Sequence, residues 1–183
     1  ILKVVVADNL ATVADLAFAN PATHSASFLS IGVIFYTFQI YGDFAGYSLM
    51  AIGFARLLGF HFDQNFDRPY FAKSFSEFWT RWHISLSSWL RDYLYIPLGG
   101  NRISSLRTQG NLMTTMLLGG LWHGAAWTFV FWGFLHGGLL IIQRMLAPLF
   151  RGVPNPLRKF LAWLAVMFAV MLGWVFFRAQ SFD

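Results

Sequence analysis

Five histidines, His24, His61, His83, His123 and His136, are the side chains of this chain best suited to moving a proton near neutral pH. Three have settings in which a structural role is sufficient. His24 lies in a Pro-Ala-Thr-His-Ser loop, His61 at the end of an apolar stretch, and His136 in the middle of a helix among aromatics and glycines. His123 differs because it sits at a break in an uncharged run, flanked by Gly119, Gly120 and Gly124, where backbone or ligand can approach closely. An ionisable group at membrane depth points to function unless it is fully satisfied. His83, in Trp79-Thr80-Arg81-Trp82-His83, reads by itself as an interfacial histidine.

Other chemistries find less support. There is no cysteine, so neither disulfides nor a thiol-based metal or redox site can be built. No H-E-x-x-H or comparable ligand spacing occurs, and no metal is expected. Ser85, Ser87 and Ser88 have no spacing that forms a triad with a histidine and an acid. Gly99-Gly100-Asn101-Arg102 lacks the Lys-Ser/Thr of a phosphate loop.

The elements that must position these residues are membrane elements. Hydrophobic residues make up 57% of the chain and charged ones 11%, against about a quarter in an ordinary soluble domain. The net charge of +5 is not a nucleic-acid signature, because the basic residues form no run. Arg56, Arg68, Lys73, Arg81, Arg91, Arg102 and Arg107, and then Arg144, Arg151, Arg158 and Lys159, fall between apolar stretches, as in the cytoplasmic loops of membrane proteins. The chain begins at Ile1 without a methionine and stops after an apolar stretch, and is expected to be a piece of a longer protein.

Lys3 to Phe18 suits a short amphipathic helix, which Pro21 ends. Phe28 to Phe60 is long enough for one tilted span and a second, partly broken one, with Tyr41-Gly42-Asp43 as the interruption. Gln39 and Asp43 share a helix face, and Gly42 and Gly46 form a small-xxx-small pair that lets another helix come close. Asp43, costing about 2.5–3.5 kcal/mol if ionised at bilayer depth, needs a partner, either a neighbouring helix or a substrate.

Ser74 followed by Glu77 is a capping box, predicting one helix through Ile96 that Pro97 and Gly99-Gly100 end. Its aromatic face (Phe78, Trp82, Trp89, Tyr93) opposes a polar one (Arg81, Ser85, Ser88, Asp92), which suits a helix lying in the headgroup region. Thr108 to Gln143 carries no formal charge, and its breaks are read at Gly119-Gly120 and Trp122-His123-Gly124. The piece before them is about a dozen residues, roughly 18 Å of helix, too short to cross. Ala126 to Met145 is long enough, and so is Phe160 to Phe177, which follows a loop holding Pro154 and Pro156. Basic residues at both ends make a hairpin with cytoplasmic termini the economical topology. The expected fold is an all-α polytopic bundle of membrane helices, with a short re-entrant hairpin helix and in-plane amphipathic helices.

Three stretches together resemble the membrane-bound O-acyltransferase family, specifically its bacterial alginate O-acetyltransferase branch. They are Gln39 to Ser48 (QIYGDFAGYS), Phe78 to Asn101 (FWTRWHISLSSWLRDYLYIPLGGN) and Gly119 to Trp127 (GGLWHGAAW). The likeness extends to Val4-Val5-Val6-Ala7-Asp8-Asn9-Leu10, and Gly42 and Leu49 depart from the branch's usual residues. The resemblance implies that residues 1–183 are part of one such domain, with further spans before and after it. It also implies that His123 is the catalytic histidine and His83 an associated one. Arg81, Arg91 and Arg102 would help place an anionic donor, and Asp43 would contact substrate.

The implied donor is acetyl-CoA, another acyl thioester or an acyl-enzyme, with no bound cofactor. The implied acceptor is a hydroxyl of an exported polysaccharide, of peptidoglycan or of a partner protein, reached with periplasmic acyl-transfer or polysaccharide-export proteins, and the implied location is the bacterial inner membrane. Two rival readings remain open at this point: a transporter or channel subunit with Asp43, His123 and His136 along its path, and a non-catalytic scaffold for acyl transfer.

Overall fold

The computed structural model describes residues 1–150, 155–179 and 181–182. All regular structure among them is helical. Three helices are long and apolar enough to cross a membrane: Ala26–Leu57, Trp127–Leu146 and Pro156–Arg178. Arg151 and Pro154, placed by the sequence in a loop before the last span, lie outside the described residues. The chain forms two compact units, Ile1–Phe66 and Asp67–Asp183.

In the first unit a π-helical turn, Leu2–Ala7, runs into α1 (Asp8–Ala19), which packs on α2 (Ala26–Leu57). Ser25 starts α2 by accepting a hydrogen bond from the Phe28 N–H at 3.3 Å. The expected interruption at Tyr41-Gly42-Asp43 is absent, and α2 is one helix of 32 residues. Gly42 and Gly46 supply the reason, since they form a groove for the preceding segment. A Cβ on Gly46 would lie 3.1 Å from the Lys3 backbone nitrogen, and one on Gly42 3.4 Å from the Leu2 carbonyl oxygen. The close approach brings Lys3 onto Asp43 as an ion pair.

In the second unit, Ser74 caps α3 (Phe75–Arg81) by accepting from the Glu77 N–H at 3.0 Å, and Glu77 in turn accepts from the Lys73 N–H at 2.7 Å. The helix expected to continue to Ile96 stops at Trp82-His83. There His83 takes a left-handed conformation, φ 46° and ψ 54°, and a second short helix, α4 (Ile84–Leu90), begins and passes into a π-helical turn, Arg91–Tyr95. Burial explains the break: Trp82 turns inward against Trp174, 4.9 Å between ring centroids, and Tyr70 stacks on it at 5.9 Å.

The main contact of this unit is between α5 (Ser105–His123) and α6 (Trp127–Leu146), joined by three residues. α5 runs unbroken through Gly119-Gly120, so it has 19 residues and is about 28 Å long rather than roughly 18 Å. The two glycines are contact points. A Cβ on Gly120 would come within 2.3 Å of the Phe129 carbonyl oxygen, and one on Gly133 within 2.4 Å of the Met116 carbonyl oxygen. Helices in lipid gain nothing from simple apolar burial, so close backbone approach of this kind is what holds them together. α7 (Asn155–Arg178) lies on α6 and reaches back through Trp163, whose indole donates to the Tyr70 carbonyl at 2.8 Å.

Gly120→Ala is therefore expected to cost about 1–3 kcal/mol by overpacking. Gly138→Ala, in the same hairpin with nothing within 4 Å of its added methyl, should be neutral or gain about 0.5–1 kcal/mol. Melting temperatures of the purified variants in detergent compare the two; equal values would show that the close contact is not what stabilises the hairpin.

Candidate active site

His123 is the last residue of α5, and the chain leaves the helix at Gly124 in an extended conformation. Its ring is surrounded by aromatics: Phe177 at 5.0 Å, Trp122 at 5.1 Å, Trp132 at 5.3 Å and Phe129 at 6.1 Å between centroids. Helical periodicity places Leu112, Thr115, Met116, Gly119 and His123 along one stripe of α5. That stripe lines a cavity of about 330 Å³, bordered elsewhere by residues of α3, α4, the π-helical turn and α6. Gly119, one turn before His123, touches Leu90 in that lining; a Cβ there would lie 3.1 Å from the Leu90 Cδ1.

Apolar side chains form most of the wall, with Ser76, Thr80, Ser87, Ser88, Tyr95 and Arg91 as the polar groups. The segments around the cavity are braced by polar contacts. Tyr95 donates its hydroxyl to Asn101, and the Asn111 amide donates to the Leu98 carbonyl at 3.0 Å and the Gly100 carbonyl at 3.4 Å. Gln143 ties α3 to α6: its Oε1 accepts from the Phe75 and Ser76 N–H groups, at 2.5 and 3.4 Å, and its amide donates to the Ser76 hydroxyl at 3.1 Å.

His83 is buried at the junction of α3 and α4, with its ring 5.9 Å from Trp122. Trp122 thus stands beside both His83 and His123. Burial pushes the His83 imidazole down to about 4 from its usual 6.5, and repulsion from His123 adds to the effect. His83 is therefore a neutral ring near pH 7, able to donate one hydrogen bond from one ring nitrogen and accept one at the other.

The arginines separate into different settings. Arg91 lines the cavity while pairing with Asp92 at 2.7 and 3.0 Å. Arg81 pairs with Glu77 at 2.8 Å and donates to the Asp67 carbonyl at 3.3 Å, so it locks the start of α3. Arg102 is exposed in the turn before α5. Asp43 belongs to the first unit, paired with Lys3. Among the described residues no group of three or more His, Cys, Asp or Glu is placed to hold a metal ion.

Leu112, Thr115 and Met116 are not marked by the sequence, because a helix ending at Gly119-Gly120 separates them from His123. With the end at Gly124, the spacing from Leu112 to His123 reveals the stripe. His136 was set aside on the sequence as structural, and the fold encloses it completely among Phe78, Trp79 and Trp132.

A model of the membrane-bound O-acyltransferase family matches residues 1–182. The chain is 52% identical to a protein described as a probable alginate O-acetylase of Azotobacter vinelandii, over 100% of this chain and 36% of that one. It is 46% identical to a peptidoglycan O-acetyltransferase of Helicobacter pylori, over 99% of this chain and 34% of that one. It is 38% identical to a teichoic acid D-alanyltransferase of Streptococcus thermophilus, over 62% of this chain and 29% of that one. The chain spans about a third of the length of the first two.

The depressed His83 value has a pH consequence. The fold holds the ring neutral, so its stabilising effect is present above the unfolded value of 6.5 and is lost as pH falls from 6.5 towards about 4. The melting temperature should fall over that window. His83→Asn, which tolerates the left-handed conformation, should fold and show a smaller fall; an identical fall would remove His83 as a source.

Proposed function

Because the chain belongs to the membrane-bound O-acyltransferase family, we propose that the whole protein transfers an acetyl group from a thioester to a hydroxyl of an exported, alginate-like polysaccharide or of its periplasmic partner. The observation that carries this reading is the cavity with His123 in its wall, largely apolar, with one arginine, Arg91, in its lining. An acetyl group and a polysaccharide acceptor are supported by the activities of the relatives, alginate O-acetylase and peptidoglycan O-acetyltransferase. Their shared chemistry, O-acetyl transfer, together with three helices long and apolar enough to cross a membrane, favours a multi-pass protein of the bacterial inner membrane.

In this reading His123 is the general base. An acceptor hydroxyl is a poor nucleophile until a base removes its proton during attack on the acyl carbonyl, and a neutral imidazole is suited to that step. The O–H proton passes to His123 as the hydroxyl oxygen bonds to the carbonyl carbon. As the tetrahedral intermediate collapses, the C–S bond breaks and the proton leaves with the thiol. The aromatic wall excludes water, which would otherwise hydrolyse the thioester.

His83 orients the reactants from the other side of Trp122. Arg91 is the arginine placed to meet an anionic part of the donor. Arg81 contributes through the α3 cap instead, and Arg102, exposed before α5, is left as a contact for a part of the donor outside the cavity. A conduction path through His123 and His136 loses support, since His136 is enclosed by aromatic rings.

His123→Ala in the full-length protein should lower acetylation of the exported polysaccharide about 10²–10⁴-fold, the usual contribution of a general base, at unchanged protein level in the membrane. The O-acetyl content of secreted polymer measures it, and wild-type acetylation would end this assignment.

A further inference from the structure

The cavity beside His123 is not lined evenly. Arg91, the charged group of its lining, has most of its side chain exposed, whereas Leu90, Met116 and Trp132 are buried. The buried apolar residues gather near the histidine. Gly119 and Met116 precede His123 by four and seven residues on one stripe of α5, about 6 and 10 Å of helix. From α6 the Trp132 ring stands 5.3 Å from that of His123.

Leu90 closes this corner. A Cβ on Gly119 would lie 3.1 Å from Leu90 Cδ1, so the leucine methyl sits against bare helix backbone one turn from His123. A thioester donor has a polar, anionic end and an acyl group that is apolar beyond its carbonyl. The apolar part belongs against Leu90, Met116 and Trp132 and the anion at the exposed Arg91, because burying an unpaired charge is costly. With its carbonyl in reach of His123, an acetyl group puts one methyl into the corner. A butyryl group puts two further carbons there, where Leu90 already stands.

We propose that Leu90, seated on Gly119, is a specificity-determining residue that limits the transferred acyl group to acetyl. The inference rests on the catalytic reading of His123 and on a thioester donor, and adds to them the feature that sets the size of the group. One leucine is sufficient for this, since an apolar pocket discriminates a single methylene about 10- to 200-fold. Leu90→Ala removes three carbons from the corner, which makes room for the two that butyryl adds to acetyl.

The test uses the full-length protein in membranes, with the exported polysaccharide as acceptor and acetyl-, propionyl- or butyryl-coenzyme A as donor. Thiol release is measured, and the part that His123→Ala removes is the protein's own turnover. Each variant is read as its ratio of butyryl to acetyl turnover. That ratio does not depend on the amount of folded protein, so a purely structural role for Leu90 would leave it unmoved. Leu90→Ala is expected to raise the ratio at least about 10-fold. Adding Gly119→Ala should lower it again, because the new methyl refills the space. Leu112→Ala takes the same three carbons from the lining eleven residues, about 16 Å of helix, before His123, and should leave the ratio at the parent's value. An unmoved ratio in Leu90→Ala, or an equal rise in Leu112→Ala, would overturn the proposal. If Leu90→Ala does not accumulate, Leu90→Val, one carbon smaller than the parent, decides in the same way with propionyl-coenzyme A. Acetyl turnover that depends on His123 beside an unmoved ratio overturns this inference alone. Acetyl turnover unchanged in His123→Ala, or no turnover of any of the three thioesters by the parent, overturns the proposed chemistry and this inference with it.

Discussion

Everything in the second unit depends on the contact in which α5 and α6 touch backbone to backbone at Gly120 and Gly133. A bilayer offers apolar surface everywhere, so burying leucines between two helices gains little there, and association must come from fit. A virtual Cβ 2.3 Å from a carbonyl oxygen leaves no tolerance for even a methyl group. That fit sets the height of one helix against the other. It therefore decides that Trp132 of α6 stands beside His123 of α5, at 5.3 Å between ring centroids, and that the stripe from Leu112 to His123 faces a cavity rather than the partner helix.

The remaining wall is made by a helix that had to break. A continuous helix from Ser74 to Ile96 would keep Trp82 and His83 about 100° apart on its surface, by the 3.6-residue repeat. Placing His83 in the left-handed region turns the chain between them, so that Trp82 packs on Trp174 while His83 reaches the Trp122 side. Positive φ is unfavourable for a residue with a Cβ and is kept where the surroundings over-determine it, commonly at functional sites. The polar contacts on either side, Gln143 on the α3 N-terminus and Asn111 on the turn after Tyr95, are what a strained junction needs to hold its shape.

Much of this was legible in the sequence, and the failures have a common origin. The apolar spans, the Ser74–Glu77 cap and the selection of His123 came from composition, capping chemistry and the absence of charge, all of which are local. The misread positions were glycines. By propensity alone Gly42, Gly119 and Gly120 read as places where a helix stops, since glycine is a poor helix former in water. In a membrane protein the same residue is where another backbone arrives, and the two meanings cannot be separated without knowing what lies opposite. The break at Trp82-His83 was invisible for the complementary reason: no glycine or proline marks it, and only the tertiary burial of Trp82 requires it.

The assignment of charged residues follows the same logic of place over type. Four ionic side chains looked equally able to hold an anionic or hydroxylated substrate, yet Arg81 is engaged with Glu77 and the Asp67 carbonyl, and Asp43 with Lys3. An ion pair already made must be broken before either partner can serve a ligand, which weakens its claim to be a recognition group. Arg91 is also paired, but with its sequence neighbour Asp92 and with 59% of its side chain exposed. Exchange there is inexpensive, because exposed pairs are worth about 0–1 kcal/mol. A guanidinium that is loosely held, and that lines the same cavity as His123, can move to an incoming anion without disturbing the fold. In the proposed reading, that combination gives the cavity a direction, with charge recognition at Arg91, proton transfer at His123, and an apolar wall including Leu90, Met116 and Leu140 beside the reacting carbonyl.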